Sequence, residues 1–125
     1  MVNCLIVDDS LRFLGAARSL LEREGMTVLD MVSTSADALQ RAEELRPDVT
    51  LVDIELGDES GFELVCRLRA DDRHQGSVIL ISTHAEEDYA ELIAASPACG
   101  FLPKTCLSAA AIRRLLRDRG DTGEE

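Results

Sequence analysis

Five apolar runs recur along the chain, at residues 3–7, 26–32, 49–54, 78–82 and 99–102. They are short and nearly unbroken, the pattern of strands covered on both faces of a parallel sheet. The intervals between them repeat apolar positions every three and four residues. Leu11, Leu14, Ala17 and Leu21 share one helical face, as do Ala38, Ala42 and Leu45; Leu64 with Leu68, Tyr89 with Leu92 and Ile93, and Ile112 with Leu115 and Leu116 continue the scheme. Strand and helix alternate five times with short connections. This predicts one α/β domain, a parallel sheet with helices on both faces and right-handed crossovers.

The punctuation sharpens the element boundaries. Ser60-Gly61-Phe62-Glu63 reads as a capping box opening the third helix, Thr34-Ser35-Ala36-Asp37 as an acidic variant opening the second, and Thr83-His84-Ala85-Glu86 as a cap for the fourth. Gly25 is a stop after the first helix. Pro47 drives Arg46 out of helical geometry, so the second helix ends there. From about Arg117 the apolar pattern gives way to "RDRGDTGEE", which predicts a domain over residues 1–118 and a frayed polar tail over 119–125.

Composition narrows the function classes. A chain of 125 residues suffices for one hydrophobic core. Its 24 acidic residues against 13 Lys and Arg give a net charge of -11, which disfavours direct contact with nucleic-acid phosphates. Cys4, Cys66, Cys99 and Cys106 form no C-x-x-C pair and have no histidine at metal spacing. They read as buried free thiols rather than a zinc site or disulfide framework. Met1 leads straight into the first run, with no signal-peptide core and no apolar stretch of membrane-spanning length, so a cytoplasmic protein without membrane contact is expected.

Chemistry enters where the runs end. Asp8 and Asp9 follow the first run directly, and open α/β sheets bind ligands at the carboxyl ends of their strands. Asp53 lies near the end of the third run. If the first and third strands are neighbours, its carboxylate faces the other two. At about 4 Å each pair of acids repels by roughly 4 kcal/mol at an effective dielectric near 20, a cost that a hard divalent cation with oxygen ligands removes. Ser82 ends the fourth run and Lys104 follows the fifth, adding a hydroxyl and an ammonium. Such a set can hold Mg²⁺, orient a phosphoryl group and neutralise its charge. Taken singly, each residue has a plainer role. Asp8 and Asp9 suit the start of the helix near Ser10, Lys104 a solvated charge, Ser82 a strand-end hydrogen bonder, and Phe101 core filler.

Together, "VDD" at 7–9, Asp53 in "LVDI", "SGFEL" at 60–64, Ser82 after "VILI" and "GFLPK" at 100–104 make the chain similar, from about residue 3 to 117, to the receiver domain of two-component response regulators. The resemblance implies a flavodoxin-like (βα)5 fold with strand order 2-1-3-4-5. It implies that Asp53 is the phosphoacceptor, that Asp9 is a direct Mg²⁺ ligand with Asp8 acting partly through water, and that the Glu55 backbone carbonyl completes the protein ligands, with Mn²⁺ an alternative ion. Lys104 resembles the lysine that contacts the phosphoryl group, Ser82 the hydroxyl that moves toward it, and Phe101 the aromatic that follows. Glu55, Thr83 and His84 occupy positions that tune the lifetime of the phosphate.

The implied partners are a histidine kinase or phosphotransfer protein, and a second copy of the chain through the fourth helix, fifth strand and fifth helix, a face carrying Tyr89, Leu92, Ile93 and Phe101 with Arg113 and Arg117. The implied catalysis is limited to the domain's own phosphotransfer and autodephosphorylation. Three departures from the common pattern stand out. Thr83 is larger than the usual residue, Gly57 replaces a frequent proline and predicts a mobile loop, and Pro103 precedes Lys104 where the family more often has proline after the lysine. Two other functions share acidic strand ends. A haloacid-dehalogenase-like phosphohydrolase would need an acid at the Asp-x-Asp position, where residue 55 is Glu, and a cap insertion. A degenerate receiver would bind partners without phosphorylation, against which the intact Asp8, Asp9, Asp53 and Lys104 argue. Receivers often precede a DNA-binding output domain, for which the sequence to Glu125 leaves no room; either a stand-alone receiver or a piece of a longer regulator is expected.

Overall fold

The computed structural model describes residues 2–70 and 76–124, with side chains as far as Arg117. In chain order the elements are β1 (Asn3–Val7), α1 (Leu11–Arg23), β2 (Thr27–Val32), α2 (Ser35–Leu45), β3 (Val49–Asp53), β4 (Glu55–Leu56), β5 (Glu59–Ser60), α3 (Gly61–Ala70), β6 (Ser77–Ser82), α4 (Ala90–Ala95), β7 (Gly100–Pro103) and α5 (Ala109–Glu124). The five apolar runs form one parallel sheet in the order β2-β1-β3-β6-β7. Setting aside the small antiparallel hairpin β4–β5, this is the doubly wound 2-1-3-4-5 order of a flavodoxin-like fold.

Successive side chains of a strand point to opposite faces, so each central strand feeds two cores. Cys4, Ile6, Leu51, Ile79 and Ile81 pack with Leu14, Ala17 and Leu21 of α1 and Ile112 of α5. Leu5, Val7, Val52 and Leu80 pack on the other face with Ala38 and Ala42 of α2, Leu64, Val65 and Leu68 of α3, and Phe101. At roughly 1.5 to 3 kcal/mol for each large apolar side chain taken from water, these two layers hold the strand ends in place. α4 buries no residue fully; Ile93 and the preceding Tyr89 are only partly covered.

Most of the predicted boundaries are present. The Thr34 hydroxyl accepts from the Asp37 N–H at 3.2 Å, and Gly25 takes φ 93° after α1. Arg46 turns left-handed at φ 49° before Pro47, leaving the right-handed helical region that a proline ring disfavours in its predecessor. Other expectations are corrected. Ser60 pairs with Glu55 in the hairpin, and the Gly61 N–H turns back to the Ile54 carbonyl at 2.8 Å, so no Ser60 cap opens α3 among the described residues. Thr83 does not cap the fourth helix either. That segment opens with a 3-10 turn, Glu86–Tyr89, preceded by Ala85 and lacking a side-chain cap.

Leu11 is 80% exposed rather than core, because it starts α1 above the rim of the sheet. Cys66 and Cys106 are exposed, not buried, whereas burial pushes the Cys4 thiol up to about 12. Gly57 adopts φ 57° in the turn of the β4–β5 hairpin, a conformation closed to proline. α5 is helical through Glu124, across the 118/119 boundary that composition suggests. Among the described residues no helix is long and apolar enough to cross a membrane.

Candidate functional site

Strand register, more than any single residue, assembles the site. Val7 pairs with Val52, so Asp8, the next residue along, comes level with Asp53. Asp53 pairs with Ile81, which sets Ser82 one step beyond. Ser82 pairs with Pro103, and Lys104 follows. Three parallel strand pairings therefore bring Asp8, Asp53, Ser82 and Lys104 from distant parts of the chain to one carboxyl edge. Gly61 makes room for this, because a Cβ there would collide with the Asp53 carbonyl oxygen.

The Lys104 ammonium lies 2.6 Å from Asp8 Oδ2 and 3.4 Å from Asp53 Oδ2. Asp8 Oδ1 accepts from the Ser10 N–H at 2.8 Å, and the Ser10 hydroxyl in turn accepts from the Phe13 N–H at 3.2 Å, capping α1. The plainer capping role thus falls to Ser10 rather than to the acids. Asp53 Oδ1 accepts from the Glu55 N–H at 3.2 Å. Ser82 is buried, and its hydroxyl accepts from the His84 N–H at 3.0 Å. Phe101 is buried behind the sheet end, and Thr83 is exposed beside it.

Charge is unbalanced here. One carboxylate oxygen from each of Asp8, Asp9 and Asp53 lies within 4.8 Å of the others, and a single ammonium is set against three acids. Burial first, and then the neighbouring Asp8 carboxylate, raise the Asp53 carboxyl from 3.8 to about 6, against the opposing pull of Lys104. Asp8 Oδ2 is fully buried against the Lys104 ammonium. Three converging hard carboxylate oxygens, with more negative charge than one ammonium balances, fit a divalent cation such as Mg²⁺. Asp9 leaves its carboxylate exposed at the mouth. That mouth is a cleft of about 670 Å³ lined by Asp9, Asp53, Glu55, Thr83, Tyr89 and Leu92 among others.

Two features escaped the sequence reading. Tyr89 donates from its hydroxyl to Glu55 Oε2 at 3.3 Å, and His84 Nδ1 lies 3.8 Å from Glu55 Oε1, so three side chains meet across the cleft. The Phe13 ring lies beneath Lys104 Nζ, 4.4 Å from centroid to nitrogen. Phe13 belongs to no motif, and nothing local in the sequence marks it. Arg113 also differs from expectation: its guanidinium donates to the Glu24 carbonyl at 3.5 Å, on the α1 side, and is not part of a face with α4.

The model of the response regulator receiver domain matches residues 4–117. The chain belongs to this family. The receiver is 28% identical over 103 residues to the DNA-binding transcriptional activator EvgA of Escherichia coli K12, covering 82% of this chain and 50% of EvgA. It is 32% identical over 107 residues to the response regulator GacA of Pseudomonas aeruginosa, covering 83% and 49%. The chain spans about half the length of these curated relatives. Among solved structures, the signal receiver domain of a modulated diguanylate cyclase from Desulfovibrio desulfuricans G20 superposes with TM-score 0.81 at 28% identity, covering 100% of this chain and 99% of that one. The receiver domain of the putative response regulator NarL from Mycobacterium tuberculosis gives 0.79 at 25% identity, with coverage of 91% and 95%. The receiver is therefore a signalling domain of the response-regulator family.

Proposed function

We propose that this receiver is a phosphorylation-dependent switch that accepts a phosphoryl group on Asp53 from the phosphohistidine of a histidine kinase or phosphotransfer protein. The observation that carries the reading is the convergence of a buried Asp53 with Asp8, Asp9 and Lys104 at one strand edge. An Asp53 carboxylate oxygen attacks phosphorus; the new O–P bond forms as the P–N bond to the donor imidazole breaks, and the imidazole leaves with that electron pair. Lys104, 3.4 Å from Asp53, would meet charge on the phosphoryl oxygens, and Ser82, one strand over, would supply a hydroxyl donor. Asp8, Asp9 and Asp53, with the Glu55 backbone carbonyl, are the residues that would hold Mg²⁺ or Mn²⁺. When bound, the ion supplies charge neutralisation at the phosphoryl oxygens.

In this reading Phe101 follows Ser82, and Glu55, Thr83 and His84 regulate how readily water reaches the acyl phosphate. The domain spans residues 1–118, acts in the cytoplasm, touches neither membrane nor nucleic acid itself, and signals through a partner or a second copy at the face of α4, β7 and α5. The test is intact-mass spectrometry after incubation with acetyl phosphate and Mg²⁺. One phosphate is expected on the wild type, none on Asp53→Asn, and none on the wild type in EDTA. Equal uptake by Asp53→Asn would overturn the assignment.

A further inference from the structure

The contacts around Lys104 close into a ring. Asp8 Oδ2 faces the ammonium at 2.6 Å; Asp8 Oδ1 accepts from the Ser10 N–H at 2.8 Å; the Ser10 hydroxyl accepts from the Phe13 N–H at 3.2 Å; and the Phe13 ring returns to the ammonium at 4.4 Å. The first turn of α1 is thereby built into the site. Phe13 is half-buried against the α1–α5 core, and the Lys104 side chain is only 12% exposed. An ammonium held off water by an aromatic face is bound by the ring's quadrupole as well as by its anions. The two carboxylates lie 2.6 and 3.4 Å from Nζ, so a modest shift over the same ring moves the charge from Asp8 toward Asp53.

We propose that Phe13 is a positioning residue for Lys104, a platform over which the ammonium stays desolvated and aimed at the group carried by Asp53. The proposal rests on the phosphoacceptor reading, because the readout of aim is transfer to Asp53. It assigns to α1 a part in phosphotransfer that no motif in the sequence carries. A leucine keeps apolar bulk at this place without a π face, and a tyrosine keeps the face.

The experiment compares wild type, Phe13→Leu and Phe13→Tyr in two ways. Lys104 is the one lysine of the chain, so its side-chain methylene resonances are unambiguous. They are expected upfield of their position in the unfolded chain, through the ring current, in wild type and Phe13→Tyr, and unshifted in Phe13→Leu. With acetyl phosphate and saturating Mg²⁺, Phe13→Leu is expected to lose roughly ten-fold in the maximal rate of acyl-phosphate formation, within the range of a desolvated cation–π contact, with the half-saturating donor concentration unchanged and Phe13→Tyr close to wild type. An unshifted Lys104 in the wild type, or Phe13→Leu at the wild-type rate, overturns the proposal. Equal losses in Phe13→Leu and Phe13→Tyr also overturn it, since they report packing alone. A wild type that never takes up phosphate overturns the proposed function instead, and the Lys104 resonances still decide whether the ring holds the ammonium.

Discussion

Asp53 is so poorly hydrated and so close to Asp8 that its carboxyl keeps a proton up to about pH 6, whereas the unfolded chain releases it near 3.8. Between those values the folded protein binds more protons, so this group's contribution to stability is complete below 3.8 and is lost as pH rises through 6. Replacing Asp53 with asparagine removes the loss. In EDTA, Asp53→Asn is expected to be more stable than wild type at pH 7.5 by roughly 2 to 3 kcal/mol, since each tenfold change in proton affinity is worth about 1.4 kcal/mol. The gain should vanish below about pH 4. Denaturant melts across that range check it, and a gain independent of pH would show that charge at Asp53 is not its source.

Element ends, rather than element interiors, adapt this fold to its site. α3 begins on Gly61 because its first turn runs against the Asp53 carbonyl, leaving no room for a Cβ. Gly61→Ala is expected to destabilise by about 1 to 3 kcal/mol, the usual cost of overpacking, and to slow acyl-phosphate formation by displacing β3. A thermal melt with a parallel acetyl phosphate assay checks both, and an unchanged melt would refute the clash. At the opposite end of the sheet, Glu24 accepts from the Ala109 N–H at 2.7 Å, so the corner after α1 caps α5. It adds to a local cap, since the Ser108 hydroxyl accepts from the Ala111 N–H at 3.0 Å in the first turn of α5.

For the whole molecule the question is how the charge that phosphorylation would add at Asp53 would reach a surface. A phosphoryl group adds up to about two negative charges, and the Ser82 hydroxyl is one strand over. Phe101 is packed in the core shared with Tyr89 and Ile93, while Leu92 is 54% exposed on the same side. Movement of Ser82 toward phosphate is expected to repack Phe101 and shift α4, which holds no fully buried residue to resist. Beryllofluoride with Mg²⁺ should therefore shift amide NMR signals throughout residues 82–106 and alter self-association. Shifts confined to the neighbours of Asp8, Asp9 and Asp53 would show chemistry without a switch.

Much of this was decided by the sequence itself. Period and punctuation dictate five strands, five helices and the stops at Gly25 and Arg46, since burial on two faces and the limits of glycine and proline backbone act locally. The acids at strand ends, with Ser82 and Lys104, were legible for the same reason: in a parallel sheet every strand end lies on one edge. Tertiary structure alone decided what faces what. The aromatic face under Lys104, the clasp of Tyr89 and His84 on Glu55, the turn of Arg113 toward α1 and the exposure of Leu11 depend on how helices seat on the sheet. Those contacts join residues far apart in the chain or at the ends of elements, where periodicity carries no information about the partner across the gap.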